Sequence, residues 1–500
     1  MALSGIGLSS SLSIQAVVDM RNRLIELERQ LGTGKKAESY ADLGLDRGLT
    51  VGLRSHLSAI AGYQQTIDQV DVRLDIAQTV LTQISSIGQS TKTSILGSQF
   101  ALNGDNETRD QKNAELQFEH VLGLLNTTTG DRYLFSGKAV DHPAVESADH
   151  ILNGTGGRAG LKQLIAERRL ADLGANGLGR LVVSSPTATS IAVAEDAVSP
   201  FGFKLVGAVS ALSGATVSGP GGSPPAMSVD LGPGNPNDGE AIKFTFTLPD
   251  GSSQDVTLTA TAASPPKPNQ FVIGANSAAT RANMQNALTQ ALGTLGRTTL
   301  EAASAIAAGK DFFTVDAGHR PQRVAGPPFD SATALVDGTD TDTVIWYVGE
   351  AGSDPARSTA IVRADQSLTM NYGIRANEEA LRRTVQSIAV FASVSFSDSD
   401  PDAEGRYTEL QKRTGTALAD PHGQQRISDI QGELAGVQVA LATTKSRHQQ
   451  TDSTLSGLLD KVEGAPTEEV AAQILALQTS LQATLQTTSM LLQTNLLKYL

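Results

Sequence analysis

Cysteine is absent from the 500 residues, which excludes disulfides, thiolate metal sites and thiol nucleophiles. Aromatic side chains make up only 4% of the chain, with a single tryptophan, Trp346. That leaves few large anchors for a dense core or an aromatic-lined pocket. No stretch reaches the roughly 18 consecutive apolar residues of a membrane span, so no membrane insertion is expected. A clustered cationic face is missing too. The net charge is −13, and the seven arginines and lysines between Arg21 and Arg54 are interspersed with Glu26, Glu28, Glu38, Asp42 and Asp46. This is the pattern of a solvated helix face, and nucleic acid is not expected as a partner. The first thirty residues show no Lys/Arg-rich start ahead of an unbroken apolar run. A secretory signal peptide is therefore not expected, and export would need a dedicated machine.

What is present lies mainly at the two ends. Val17, Met20, Leu24, Leu27 and Leu31 are spaced by three and four residues. After a glycine-containing break from Gly32 to Gly48 the rhythm resumes with Leu53, Leu57, Ile60, Tyr63, Ile67, Val70, Leu74, Ala77, Leu81 and Ile84, fading towards Ile95. Such a helix is a rod of about 65 Å at ~1.5 Å per residue, too long to bury its stripe on itself. A short helix is expected over Asn113 to Asn126 and another over Ile374 to Ala392, with Leu381, Val385 and Ile388 on its stripe. The C-terminal third repeats the pattern through Ile427, Ile430, Leu434, Val437, Leu441, Thr444, His448, Thr451, Leu455 and Leu458. Gly464 and Pro466 punctuate, and Thr467 is expected to cap a last helix carrying Val470, Ile474, Leu477, Leu481, Leu485, Leu492 and Leu496.

The middle has a different character. Fifteen of the nineteen prolines lie between Pro186 and Pro355. Ala241 to Leu248 alternates, with Ile242, Phe244 and Phe246 on one face, and Asp255 to Ala260 follows after Pro249-Asp250-Gly251-Ser252, a hairpin turn. Val344 to Val348 and Ile361 to Ala364 are expected as further strands, and the Ala-rich run Ala279 to Ala308 as helix.

The fold class expected is therefore mainly α: a long antiparallel coiled-coil-like bundle formed by both chain ends, with an inserted α+β, strand-rich middle domain. Five hundred residues exceed what one core usually organises. The boundaries expected are 1–45 and 464–500 for an innermost helical domain, 46–180 and 369–463 for an outer rod, and 181–368 for the insertion. The outermost helices bury too little by themselves to offset their ordering cost. Their apolar residues are expected to gain cover from neighbouring copies and to order on assembly. Val17, Met20, Leu24, Leu27, Leu31, Ile474, Leu477, Leu481, Leu485, Leu492 and Leu496 are the candidate polymerisation interface.

Four stretches in this order resemble the bacterial flagellin family, and within it the branch of the hook–filament junction proteins (hook-associated protein 3) and variant flagellins. They are Leu27-Glu28-Arg29-Gln30-Leu31-Gly32-Thr33-Gly34-Lys35-Lys36, the long helix after it, Gly130-Asp131-Arg132-Tyr133-Leu134-Phe135-Ser136-Gly137, and the C-terminal helix pair ending Leu496-Leu497-Lys498-Tyr499-Leu500. The resemblance covers roughly residues 1–180 and 370–500. The "Asp-Asp-Ala-Ala-Gly" stretch of typical flagellins is replaced here by Ala37 to Leu49, which favours the junction branch. The resemblance implies an extracellular structural subunit of the flagellum. Its partners would be itself, neighbouring hook and filament proteins, the flagellar type III export apparatus and a chaperone. It also marks Arg132, Tyr133, Leu134, Phe135, Ser136 and Gly137 as a family turn motif, in which Tyr133 and Phe135 fix a chain reversal or simply pack in a hairpin.

Catalysis finds no support. Asp398, Asp400, Asp402 and Glu409 occupy calcium-loop positions, but Ala403 replaces the glycine, Pro401 interrupts and Arg406 takes a ligand position. Asp337, Asp340 and Asp342 have no accompanying histidine, Gly154-Thr155-Gly156-Gly157 lacks a properly spaced third glycine, and His448 sits on a helical stripe. No enzyme activity, cofactor or metal is expected. The rival readings are a secreted coiled-coil adhesin whose middle domain contacts a partner, and a secreted enzyme with its site in residues 190–365.

Overall fold

A computed structural model describes residues 4–103, 106–419 and 423–496, with side chains described from Ile14 to Met490. Its helices, in chain order, are α1 (Ser4–Thr33), α2 (Arg47–Gly97), α3 (Arg109–Leu125), α4 (Ala148–Asn153), α5 (Leu161–Leu173), α6 (Ser277–Leu295), α7 (Glu301–Phe313), α8 (Glu379–Ser393), α9 (Ala403–Ala417), α10 (Ile427–Glu463) and α11 (Thr467–Leu496). About half of the structure is helical, and the middle is rich in strands. The chain forms two compact units: Met1–Asp71 with Val362–Thr369 and Val439–Leu500, and Val72–Ile361 with Met370–Gln438.

In the first unit the opening turns of α2 and the later part of α10 run antiparallel. Lys445 Nζ lies 2.7 Å from Asp68 Oδ1, and the Arg54 guanidinium donates to both carboxylate oxygens of Glu463 at 2.8 and 2.6 Å. Leu53, Ile60, Ile67 and Val70 are buried, as the three-and-four spacing requires. His448 is buried on the facing stripe; its ring stacks on Tyr63 at 5.8 Å, and Nε2 lies 2.8 Å from the Ala364 carbonyl oxygen. It is a packed core histidine. Beyond it the stripe opens, and Thr451 and Leu458 are exposed.

In the second unit the remainder of α2 buries Leu74, Ala77, Leu81 and Ile84. Gln438 Nε2 donates to Asp75 Oδ1 at 2.7 Å, Gln78 Nε2 to the Gln431 carbonyl at 2.9 Å and Gln431 Nε2 to Thr82 Oγ1 at 2.9 Å. These bonds pair α2 with the start of α10, again antiparallel. Helix α3 begins in a capping box: the Gln111 N–H donates to Thr108 Oγ1 while Gln111 Oε1 accepts from the Thr108 N–H. Ala114, Phe118, Val121 and Leu125 are all buried, and α3 packs on α8.

The strands in this unit are β1 (Thr128–Thr129), β2 (Arg132–Tyr133), β3 (Leu181–Ser184), β4 (Ser190–Glu195), β5 (Lys204–Ser210), β6 (Thr216–Gly221), β7 (Ala226–Asp230), β8 (Ala241–Thr247), β9 (Ser253–Thr261), β10 (Gln270–Val272), β11 (Gln322–Val324) and β12 (Leu335–Asp337). A hairpin of β13 (Ile361–Arg363) and β14 (Thr369–Asn371) follows. Two four-stranded sheets, in the orders β3-β4-β7-β6 and β10-β9-β8-β5, share one core with α6. The β8–β9 hairpin forms as its turn predicts. Gly251 takes φ +85°, Leu248 N donates to the Ser252 carbonyl at 2.8 Å, and Ile242, Phe244 and Phe246 are fully buried.

Several expectations need correction. The helix predicted from Ile374 starts only at Glu379, because residues 374–376 pair with the backbone of Phe135 and Gly137 instead. Val344 to Val348 is not a strand. It is an extended run with isolated bridges: Glu146 N donates to the Trp346 carbonyl, Val348 N to the Ala144 carbonyl and Val344 N to the Ala159 carbonyl. The Ala-rich helix is interrupted by a π-helical turn at Gly296–Leu300 and continues to Phe313. Thr467 is the first residue of α11 rather than a residue preceding it.

Candidate functional site

At the chain ends, α1 and α11 pair antiparallel within one molecule. The corner between them is a backbone clasp: Lys36 N donates to the Glu463 carbonyl at 2.8 Å and Ala465 N to the Gly34 carbonyl at 2.9 Å. Lys36 Nζ adds bonds to the carbonyls of Lys461 and Val462 at 3.0 and 3.2 Å, a cation at the C-terminal end of α10 where its dipole favours one. Glycine is required at both turns. Gly34 has φ +68°, and a Cβ at Gly464 would sit 2.3 Å from the Asp460 carbonyl oxygen.

From this corner Leu27 packs with Ala465, Val470 and Ile474, flanked by Leu24 and Leu477. Further along, Ser480 Oγ lies 3.7 Å from Met20 Sδ. Leu24, Leu27, Ile474 and Leu477 are therefore brought together inside one chain, which corrects the expectation that cover comes only from other copies. Val17, Met20 and Leu481 are half-buried, while Leu31 and Leu485 are exposed. The side chains of Leu492 and Leu496 lie outside the described residues.

A second apolar stripe on α1 was not singled out from the spacing. Ile14 and Ile25 are 62% and 63% exposed, and Val18 is exposed beside them. At ~100° per residue these three fall within about 40° of one another and about 120° from the inward stripe centred near Leu24. The signal was in the sequence: Ile14, Val18 and Ile25 have their own helical spacing, hidden by the stronger leucine series. A helix with one stripe covered and another bare can take a further helix.

The Arg132–Gly137 motif forms a second, structural centre. Thr128–Thr129 and Arg132–Tyr133 make a small hairpin across Gly130, which has φ +61°. Tyr133 N donates to the Val140 carbonyl at 2.8 Å and Leu134 N to that of Thr127 at 3.1 Å. Phe135, fully buried, accepts at its carbonyl from Ala376 N at 2.9 Å; Gly137 N donates to the Ile374 carbonyl at 3.2 Å and Glu350 N to the Ser136 carbonyl at 3.0 Å. Two distant chain segments, at Glu350 and at Ile374 to Ala376, thus meet on one short run. Gly137 has φ +66°, and a Cβ there would lie 2.7 Å from Glu350 Oε2. Arg132 is exposed and Tyr133 and Leu134 are half-buried. Close by, Glu378 is buried against Arg357, Nη2 to Oε2 at 2.6 Å; burial pushes its carboxyl up, and the arginine opposes that.

The acidic sequences are tied to arginines. Asp400 meets Arg406 at 2.8 Å, Asp402 meets Arg297 at 2.5 Å, Glu409 meets Arg413 at 3.5 Å, and Asp340 meets Arg320 at 2.6 Å. Glu409 lies on α9, so the four calcium-type positions do not form a loop. Gly154 ends α4, and Thr155 bridges Arg158 in a tight turn. Among the described residues no group of His, Asp or Glu is arranged to hold a metal, and no helix is long and apolar enough to cross a membrane.

The paired helices α1 and α11 each retain uncovered apolar residues, Ile14, Val18 and Ile25 on one and Leu475 and Leu485 on the other. Residues 10–140 match the family of the bacterial flagellin N-terminal helical region. The match takes in most of α1, all of α2 and α3, and the Arg132–Gly137 motif, so this N-terminal region is similar to that of bacterial flagellins. No curated protein matches the chain significantly.

Proposed function

We propose that this protein is a flagellar structural subunit that assembles through its terminal helices at the hook–filament junction. The observation that carries the assembly role is the bare stripe of Ile14, Val18 and Ile25 on a helix whose other stripe is already paired with α11. In this reading residues 1–45 and 464–500 line the inner tube, 46–180 and 369–463 form the outer rod, and 181–368 face solvent. Inward residues such as Leu24, Leu27, Ile474 and Leu477 hold each subunit's pair together. Outward residues, with Leu31 and Leu485, meet neighbouring copies. The subunit travels through the flagellar type III export apparatus with a chaperone. Replacement of the usual acidic stretch by Ala37 to Leu49 supports the junction over the filament proper.

The test is electron microscopy of full-length protein seeded with hook or filament fragments. Ile25→Glu should leave the helical circular dichroism of the unassembled protein unchanged and abolish polymers, as should deletion of Gln473 to Leu500. Polymers from Ile25→Glu indistinguishable from wild type would overturn the assembly role. A null strain with hooks but no attached filaments places the protein at the junction, and thousands of copies per flagellum would place it in the filament.

A further inference from the structure

Strand β9 is paired on one side along its length and on the other only at its end. β8 opposes Ser253 through Thr259, whereas β10, running parallel, opposes only Thr259, Ala260 and Thr261. The direction of the free edge follows from the ladder. Ala260 N donates to the Glu240 carbonyl at 2.8 Å, on the β8 side, whereas Thr259 N donates to the Asn269 carbonyl at 3.0 Å and the Thr261 carbonyl accepts from Ile273 N at 2.9 Å, on the β10 side. Alternation along a strand then points the main-chain groups of Ser253, Asp255 and Thr257 to the side where β10 has ended. Of these, the Asp255 carbonyl accepts from Gln254 Nε2 at 3.1 Å. The three N–H groups and the carbonyls of Ser253 and Thr257 bond to no other segment among the described residues.

The chain that would otherwise continue β10 along this edge is Pro266-Lys267-Pro268. Its prolines have no N–H, and the Lys267 amide turns to Gln270 Oε1 at 3.1 Å. The result is a groove of about 540 Å³ between the edge and α6, with Val256, Thr257, Ala287, Ala291 and Thr294 in its lining. The α6 wall presents Ala287, Ala291 and Thr294 together with Gln290 and Leu295. Asp255 is committed to Lys243 at 3.1 Å and to the Thr245 hydroxyl at 2.6 Å, contacts that hold its carboxyl below the usual range. Lys267 is exposed and has no ion pair among the described residues, so the uncommitted charge of the groove is one cation.

We propose that residues 253–257 of β9 and this groove dock an extended segment of another polypeptide, added as a further strand. It would carry a carboxylate at the Lys267 end. Free main-chain donors and acceptors at strand spacing are matched by a polypeptide backbone. Strands β9 and β6 of a second copy are poor donors. Two β9 edges pairing about a twofold axis would oppose Asp255 to its counterpart, and the edge strand β6 carries Pro220. The inference concerns the inserted region and stands apart from assembly by the terminal helices.

The test pans a displayed library of random peptides of about nine residues on the full-length protein, then measures the enriched sequences as synthetic peptides. Enriched peptides should carry Asp or Glu at one end. Their affinity should fall about tenfold or more on N-methylation of alternate amides, on Ala287→Trp, and on Thr294→Trp at an exposed position that leaves folding intact. Lys267→Glu should weaken the acidic-ended peptides by about threefold to tenfold. Amide exchange at Ser253, Asp255 and Thr257 should slow on binding. No enrichment, or binding indifferent to N-methylation and to both tryptophans, overturns the proposal. Slowing of the same amides on concentrating the protein alone would assign the edge to a second copy and overturn the choice of partner.

Discussion

Gly137 is constrained twice, by a left-handed backbone and by Glu350 in the space a side chain would need. Gly137→Ala should therefore cost at least about 1–2 kcal/mol in urea unfolding. Gly123→Ala, inside α3 with open space around it, should instead gain about 0.5–1 kcal/mol. Equal effects of the two would show that residues 135–137 are not held as described. Glu240 offers a pH-dependent counterpart. It accepts from the Ser213 and Asn237 amides and side chains, which lowers its carboxyl from 4.5 to about 2. A depressed carboxyl stabilises the fold above its unfolded value and loses that contribution as pH falls through the folded one. Wild type should thus be more stable than Glu240→Gln near neutrality, with the gap closing between pH 4.5 and about 2. A gap that stays constant across that range would sink the assignment. Glu378 has the opposite sign. Burial raises its carboxyl, so its contribution falls as pH rises from 4.5 through the raised value.

At the scale of elements, Leu27 and Ile474 hold α1 to α11. Leu27→Ala should remove about 2 kcal/mol or more from that seam. Hydrogen exchange should quicken along α1 while α3 is unchanged; equal quickening in both would mean that the seam is not local. The long helices were legible because three-and-four leucine spacing survives any context. The β8–β9 hairpin was legible for the same reason, with alternation closed by Asp-Gly. Less was legible elsewhere. Strand β6 reads Thr-Val-Ser-Gly-Pro-Gly and is largely exposed, so it has no alternation to detect. Helices α4 and α5 and strands β3 to β7 went unrecognised. The start of α8 was misplaced because Ile374 to Ala376 answer to a partner more than two hundred residues away, which local propensity does not report. In the candidate site the inward stripe was read from leucines. The outward one, of two isoleucines and a valine, emerged only once α11 was seen to cover the first.

On the scale of the molecule, the two units draw on the chain differently. The second is one long stretch plus a shorter return, whereas the first gathers residues 1–71, 362–369 and 439–500. His448 meeting Tyr63, and Glu463 meeting Arg54, are contacts across nearly four hundred residues or more. Closing loops of that size is entropically slow, while the β8–β9 hairpin closes locally. In stopped-flow refolding, protection of the hairpin amides should precede that of α1, and a reversed order would contradict the arrangement.

The clasp at Gly34 and Gly464 carries a last consequence. Because the partner of α1 lies more than four hundred residues further along the polypeptide, a chain in synthesis holds α1 unmatched while everything between them is made. Helix α1 is thus among the last segments to settle, and a chain halted before Thr467 would carry it with a sticky, unsatisfied stripe.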